Sequence, residues 1–325
     1  MVQHAFTPRF LYDSWVILWA GQAVPIFFIL MGLNATRSLD KTEPGSIGSL
    51  YTRRYLTSRF DRLVVPLLLT WLVALVVAVI VGEFHIGPLV VVGVLPLASA
   101  PGNYFVTIVL EFAILFPAIY WCWRRAPVAT TVALVLADIG FELLAPHVHA
   151  LTPSGMANGY LYEAGIFKYL AAIAAGMWLT RISMTPRVFL GLSVLAAASF
   201  AYLVVLHQSP GHFGWLIPSF TRSTNFLSVF YAIWLTVAGM RWLTPRPWPG
   251  AYGLLERLGQ ASYHIFLLQI VWFGAITNRS GAVGILGIAV CCLLGHAFFM
   301  AMDGPGGLSR RARGWTRAPK RSARA

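Results

Sequence analysis

Residues 63–82 read LVVPLLLTWLVALVVAVIVG, a run of twenty residues without a single charge. A helix needs about 20 apolar residues to cross the hydrocarbon core of a bilayer. The ten residues before this run, 53–62, read RRYLTSRFDR and carry four arginines. Positive charge beside an apolar run is typical of the cytoplasmic end of a membrane helix. This stretch therefore predicts a transmembrane helix that begins on the cytoplasmic side.

The composition of the 325-residue chain indicates several such helices. Hydrophobic residues make up 58% of it and charged residues 11%, whereas a soluble domain carries about 25% charged residues. A soluble globule needs a charged surface, and a bilayer removes that requirement. The formal net charge is +13. Because the basic residues sit in short loops and no nucleic-acid-binding module is visible, we exclude nucleic acid as a partner.

Hydropathy along the chain predicts an all-α fold, a polytopic transmembrane helix bundle with nine full spans. The predicted spans are residues 14–33, 63–82, 103–123, 127–146, 161–180, 187–206, 223–241, 260–277 and 281–302. A tenth run, 86–99, is short and interrupted by Gly and Pro. We expect this run to be interfacial or re-entrant rather than spanning.

The loop charges orient these spans. With the N-terminus outside, 20 of the 24 basic residues fall on the opposite side, and only Arg9, Arg222 and Arg279 share the outer side. Counting the tenth run as a span would destroy this asymmetry. The positive-inside rule therefore predicts a transmembrane domain over 1–308 and a basic cytoplasmic tail over 309–325. We expect the cell membrane, plasma or inner, to be the location.

Five ionisable residues interrupt the apolar runs: Glu111, Asp138, Glu142, Glu163 and Lys168. Charges inside spans are unfavourable and usually face a protein interior or a water-filled cavity. Asp138 and Glu142 are four residues apart on one helix face, which suits a proton relay or a cation site. The alternative is that Glu142 is simply hydrated near a helix end. Lys168 has the alternative of pairing with a carboxylate on a neighbouring helix.

The histidines and cysteines give no pattern typical of a metal site. The outer side gathers six histidines, but none has the helix spacing of a zinc site: His4, His85, His147, His149, His207 and His212. His264 and His296 fall in the last two spans, where we expect hydrogen-bonded interior residues. We expect the three cysteines to be small apolar residues. The sequence thus predicts no metal and no bound cofactor.

Six segments occur in an order and spacing that resemble one known family. They are 24–32 (VPIFFILMG), 55–66 (YLTSRFDRLVVP), 103–117 (NYFVTIVLEFAILFP), 167–176 (FKYLAAIAAG), 258–269 (LGQASYHIFLLQ) and 302–305 (MDGP). Together they resemble the membrane acyltransferase-3 family, multi-pass O-acyltransferases that modify surface glycans and antibiotics. Two positions depart from the family pattern: Met31 replaces a usual Ser, and Gln269 replaces a usual His.

The resemblance implies ten spans with both ends cytoplasmic, so we expect the first helix to be truncated here. The alternative is a native N-terminus with a short external tail. A family His near the outer end of that helix falls on His4, while the Arg upstream of it has no counterpart. Histidine suits a base that takes a proton from an acceptor hydroxyl, because its pKa is ordinarily about 6.5. The resemblance therefore makes His4 the catalytic candidate, against the alternative of a solvated terminal residue.

The implied donor is a cytoplasmic acyl-CoA, with acetyl-CoA as the commonest in the family. Arg59 and Arg62 are candidate donor-binding residues, since guanidinium groups bind phosphate through paired, charge-assisted hydrogen bonds, and Arg53 and Arg54 would extend the site. The alternative for all four is membrane orientation or contact with anionic lipid. An acyl route through the bundle would be lined by Glu111, Asp138, Glu163 and Lys168, with Gln269 in polar positioning.

The resemblance therefore implies a membrane O-acyltransferase that moves an acyl group from acyl-CoA to a hydroxyl of a sugar or surface polymer. Its partners would be acyl-CoA, a carbohydrate or glycolipid acceptor and the bilayer. One alternative is a transporter or flippase in which the buried charges form a relay, although no internal repeat of hydropathy is evident. The other is a catalytically inactive family member.

Overall fold

The computed structural model describes residues 13–41, 45–82, 102, 104–151, 165–208, 225–242, 249–276 and 281–304, without the side chains of 145–151 and 251–252. Throughout these ranges the regular structure is helical, and they contain no strand. The predicted all-α class is therefore confirmed for this part of the chain. The tenth run, 86–99, and the tail, 309–325, lie outside the described residues.

Twelve α-helices occur within the described ranges. In chain order they are α1 Ile17–Ala20, α2 Ala23–Leu39, α3 Arg53–Arg59, α4 Val65–Val81, α5 Tyr104–Arg125, α6 Pro127–Leu151, α7 Leu170–Trp178, α8 Pro186–Gln208, α9 Val229–Trp242, α10 Pro249–Gln260, α11 Ser262–Ala275 and α12 Gly281–Asp303. A π-helical segment, Phe60–Val64, joins α3 to α4. Short 3-10 turns precede α7 at Ile166–Tyr169 and α9 at Phe226–Ser228.

Six helical stretches are long and apolar enough to cross a membrane: Ile17–Leu39, Arg53–Val81, Tyr104–Arg125, Pro127–Leu144, Pro186–Gln208 and Gly281–Asp303. The other three predicted spans contain shorter apolar helices, Ile166–Trp178, Phe226–Trp242 and Ser262–Ala275. The structure thus supports a membrane helix bundle with six candidate spans, and the nine full spans are not confirmed. The short helices are a difference that hydropathy did not predict, since it registers apolar length and not where a helix begins.

The chain forms two compact units. Of the described residues, unit I comprises those within 53–102 and 249–304, and unit II comprises those within 13–52 and 104–242. In unit I, α11 packs against both α4 and α12. Gly295 of α12 allows the close approach to α11, because a Cβ there would lie 2.5 Å from Cα of Ile265. Much of α4 stays uncovered: Leu72, Val76, Val79 and Ile80 are exposed, as a lipid-facing surface requires.

Unit II is centred on a close crossing of α2 and α7. A Cβ at Gly32 would lie 2.5 Å from the carbonyl oxygen of Ile173, and one at Gly176 would overlap the carbonyl oxygen of Ile29. Small residues at such crossings let membrane helices approach until their backbones touch. Phe28, Ile29 and Ile173, beside the two glycines, are fully buried. This crossing is therefore the core of unit II.

Four basic turns meet at one end of unit II. The hydroxyl of Tyr120, on α5, donates to Asp40 at 2.7 Å, which joins the ends of α2 and α5. The guanidinium of Arg181, after α7, lies 4.0 Å from the ring centre of Trp123. Further along, Arg241 lies 5.1 Å from the ring centre of Phe189 at the start of α8. Stacked arginines and aromatic rings are typical of membrane interfaces, and within this unit the basic turns share one end as the charge pattern requires.

Candidate functional site

A cavity of about 470 Å³ lies within unit I. It is lined by Arg59 of α3, Arg62 and Leu63 of the π-helical segment, Gln260 of α10, Tyr263 and His264 of α11, and Phe299 and Asp303 of α12. Its volume falls in the range of small-molecule sites. We call it the arginine cavity. Arg59 thus shares one end of unit I with Asp303, the last residue of α12.

The end of α3 presents Arg59 to this cavity, and the π-helical segment that follows presents Arg62. A π-helix holds one residue more per turn than an α-helix, leaves irregular backbone hydrogen bonding and occurs often at functional sites. Here the carbonyl oxygen of Leu63 accepts a hydrogen bond from the hydroxyl of Tyr263 at 2.9 Å. This bond ties the segment to the start of α11. The guanidinium of Arg59 also lies 5.2 Å from the ring centre of Tyr55, which restrains its side chain.

The structure separates the four candidate donor arginines into two pairs. Arg59 and Arg62 line the arginine cavity, and Arg59 is half-buried. Arg53 and Arg54 are exposed on α3 and are absent from the described lining of the cavity. Gln269 also lies elsewhere: it is buried on α11, and its Nε2 has no hydrogen-bond partner among the described residues. The geometry thus brings together two of the predicted donor-binding residues and leaves the other two in solvent.

His264 is a site residue that the sequence did not single out. It is 3% exposed, and among the described residues neither Nδ1 nor Nε2 has a hydrogen-bond partner. His264 is thus interior as expected, but the described part of the protein supplies neither of the expected hydrogen bonds. Its ring packs edge-on against Phe298 and Phe299, with centroids 4.9 and 5.6 Å apart. Their spacing could have indicated this in the sequence: Gln260 and His264 are four residues apart, so they lie on the same helical face, and both line the cavity.

Three of the intramembrane carboxylates accept hydrogen bonds at the beginnings of short helices in unit II. Glu111 accepts from the backbone N–H of Ile166 at 2.8 Å, and Asp138 accepts from that of Ala171 at 2.9 Å. Both oxygens of Glu142 lie within hydrogen-bond distance of the N–H of Phe226, at 3.1 and 3.2 Å. The first N–H groups of a helix lack intrahelical partners, so a carboxylate there satisfies them and complements the helix dipole.

Burial changes the interpretation of Asp138 and Glu142. They are 1% and 2% exposed, so the alternative of a hydrated Glu142 is wrong. Lys168 is also buried and acts electrostatically on both carboxylates, which agrees with the predicted pairing to a neighbouring helix. Asp138 and Lys168 line a cavity of about 10 Å³, which has room for one water molecule and not for an acyl group. These side chains therefore hold the short helices in place.

Two predicted site residues, His4 and Glu163, lie outside the described residues. Within the described part, no three His, Cys, Asp or Glu side chains are grouped so that they could hold a metal ion. Cys291 is buried, Cys292 is partly buried and Cys122 is exposed, and all three are free thiols. The side chain of His207 packs near Trp15, with ring centroids 5.1 Å apart. The arginine cavity is therefore the candidate site that the structure describes best.

The helices and the arginine cavity define a membrane protein of several apolar helices with an arginine-lined cavity in unit I. A family model of an acyltransferase domain, that of the acyltransferase-3 family, matches residues 1–302. The chain belongs to this family and is accordingly a membrane acyltransferase. No curated protein matches the chain, and no solved structure does.

Proposed function

We propose that this protein moves an acyl group, acetyl in the first instance, from a cytoplasmic acyl-CoA to a hydroxyl of a sugar or surface polymer. The observation that carries the proposal is that Arg59 and Arg62 line one cavity large enough for part of such a donor. Arginine forks bind phosphate with geometric selectivity, and an acyl-CoA carries phosphates at one end. The family supplies the acyl-transfer class of the reaction.

The proposed chemistry requires one base. The acceptor hydroxyl oxygen attacks the thioester carbonyl carbon, the carbon–sulfur bond breaks, and free CoA thiol leaves. His4 takes the hydroxyl proton and returns it to the departing sulfur. An outer acceptor and an inner donor need a path between them, and the cavity of about 10 Å³ beside Asp138 and Lys168 is too small to provide it. Gln269 would contribute a polar contact without acting as a base.

Radiolabelled acetyl-CoA tests the proposed reaction directly. The purified chain is incubated with labelled donor and a panel of glycans, and transfer to the glycan is counted. We expect transfer by the wild type and a fall of at least about 100-fold for His4→Ala, since a positioned base contributes 10²–10⁴-fold. Equal transfer by both proteins would remove His4 from the mechanism. Donor binding without transfer by either would indicate an inactive family member.

A transporter is less well supported by unit II. Transporters of the broken-helix type leave helix N-termini open toward an anionic substrate. Here the starts of both short helices are occupied by carboxylates of the chain itself. Asn225 also caps the second of them, accepting from the N–H groups of Leu227 and Ser228. These helix starts are therefore already satisfied.

We also propose that the three shorter helices complete nine spans, with the C-terminus cytoplasmic. Support comes from the arginine cavity, which joins Arg59 and Asp303 at one end of unit I. Single cysteines at Ser58 and at Ser309, introduced after the native cysteines are removed, should react with a membrane-impermeant maleimide only after the inner face is opened. A cysteine at Ser280 should react in intact cells. Labelling of Ser58 and Ser309 from opposite faces would overturn this topology.

A further inference from the structure

The imidazole of His264 is buried in the wall of the arginine cavity with its hydrogen bonds unmade. Within the described residues, both ring nitrogens lack a partner although the side chain is 3% exposed. A buried polar group without a partner is unfavourable by about 1–3 kcal/mol, so such groups usually have a water or ligand as partner. Because His264 lines a cavity of about 470 Å³, a bound ligand can supply what the protein does not.

The charges around the cavity restrict what that ligand presents to His264. Arg59 and Arg62 supply positive charge from the π-helical side. Asp303 lies close enough to His264 to act on it electrostatically. A phosphate is attracted to the arginines and repelled by the Asp303 carboxylate, with energies that increase as water is excluded. The part of a ligand beside His264 is therefore uncharged and polar.

An acyl-CoA has this division of charge along its length. Its nucleotide end carries the phosphates, and its other end is a chain with two amides that terminates in the thioester. A neutral imidazole offers one N–H donor and one acceptor nitrogen, and each amide group offers the same pair. Phe298 and Phe299, edge-on to the His264 ring, hold it in a single orientation.

We propose that His264 is a donor-binding residue that hydrogen-bonds the uncharged amide and thioester arm of the acyl-CoA whose phosphates Arg59 and Arg62 bind. This inference rests on the proposed function, because it takes acyl-CoA as the ligand of the cavity. It adds to that function a residue that recognises the uncharged arm of the donor. The two ends of the donor are then recognised by different parts of the chain, the phosphates by the junction of α3 with the π-helical segment and the arm by α11.

Two ligands distinguish binding of the arm from binding of the phosphates. The full chain in detergent is titrated calorimetrically with acetyl-CoA, which has both parts, and with adenosine 3′,5′-bisphosphate, which has phosphates but no arm. We expect His264→Leu to weaken acetyl-CoA binding about 10-fold and to leave bisphosphate binding unchanged. His264→Asn keeps a donor and an acceptor, so it should retain most of the acetyl-CoA affinity. Unchanged thermal unfolding of the variants would show that the fold is preserved.

His296 offers a matched control. It lies on α12, its ring is 6.4 Å from that of Phe299, and it is absent from the described lining of the cavity. His296→Leu should bind both ligands as the wild type does. Wild-type acetyl-CoA affinity in His264→Leu, or an equal loss for both ligands, would overturn the role of His264 alone. If the wild type binds neither ligand, the donor assignment of the cavity itself is wrong, and this inference is wrong with it.

Discussion

Replacing Gly176 with alanine is expected to separate α2 from α7 and to destabilise unit II. The added Cβ would overlap the carbonyl oxygen of Ile29 and lie 2.9 Å from the backbone nitrogen of Leu33. Both obstacles are backbone atoms, so no side chain can rotate away. Overpacking usually destabilises by 1–3 kcal/mol, and we expect about 3 kcal/mol or more because the helices themselves must move.

Thermal unfolding in detergent measures this effect. The fraction of fluorescently tagged chain that remains folded after heating is read by size-exclusion chromatography. Gly191→Ala is the matched control, because in the described part of the protein no atom beyond the adjoining backbone of α8 lies within 4 Å of a Cβ at Gly191. Alanine in a helix interior is favoured over glycine by about 0.5–1 kcal/mol, so the control should unfold at the same or a slightly higher temperature. Indistinguishable unfolding of the two variants would contradict the close crossing.

Neutralising Arg59 and Arg62 together, as Arg59→Gln with Arg62→Gln, is expected to weaken acetyl-CoA binding about 100-fold. A hydrogen bond to a charged group contributes about 1.5–3 kcal/mol, and the lower figure applies because Arg62 is exposed to solvent. Two such losses give about 3 kcal/mol, or two orders of magnitude in the dissociation constant. Calorimetric titration of the full chain with acetyl-CoA measures the change.

The second arginine pair provides a control with the same change in net charge. Arg53→Gln with Arg54→Gln removes two charges from the exposed turn of α3, outside the described lining of the arginine cavity. We expect less than about a threefold change in affinity from the loss of long-range attraction alone, particularly at physiological salt. If the two double variants lost affinity equally, the arginines would act through net charge and not as a phosphate site.

Solvent explains why the sequence predicted the fold class well. Residues 63–82 form a helix because their backbone N–H and C=O groups have no water to bond with in the bilayer and must bond to one another. That constraint acts within the segment itself. The starts of the short helices are set differently. The helical segment that starts at Ile166 donates its first N–H to Glu111, which is 55 residues away in the chain. The segment that starts at Phe226 donates to Glu142, which is 84 residues away. No window of hydropathy contains both partners of such a bond.

The candidate site shows the same limit. Guanidinium chemistry and the family resemblance predicted Arg59 and Arg62, and guanidinium chemistry alone suggested that Arg53 and Arg54 would extend the same site. The fold separates the two pairs, because α11 lines the cavity beside Arg59 and Arg62. The hydrogen bond from Tyr263 to Leu63 joins α11 to the π-helical segment, although the two residues are 200 positions apart in the chain. Gly32 and Gly176 both end segments that resemble the family, yet their meeting in space became visible only in the assembled unit.

The π-helical segment gives the long helix Arg53–Val81 a phase shift between its two halves. Each residue advances an α-helix by about 100°, so the extra residue at Phe60–Val64 turns the arginine-bearing half relative to the lipid-embedded half by about that angle. Deleting one residue there would restore a regular helix and swing Arg59 around the axis while Leu72 and Val76 kept their lipid contacts. The direction in which the guanidinium groups point is thus adjustable by a single-codon insertion or deletion, independently of the anchor.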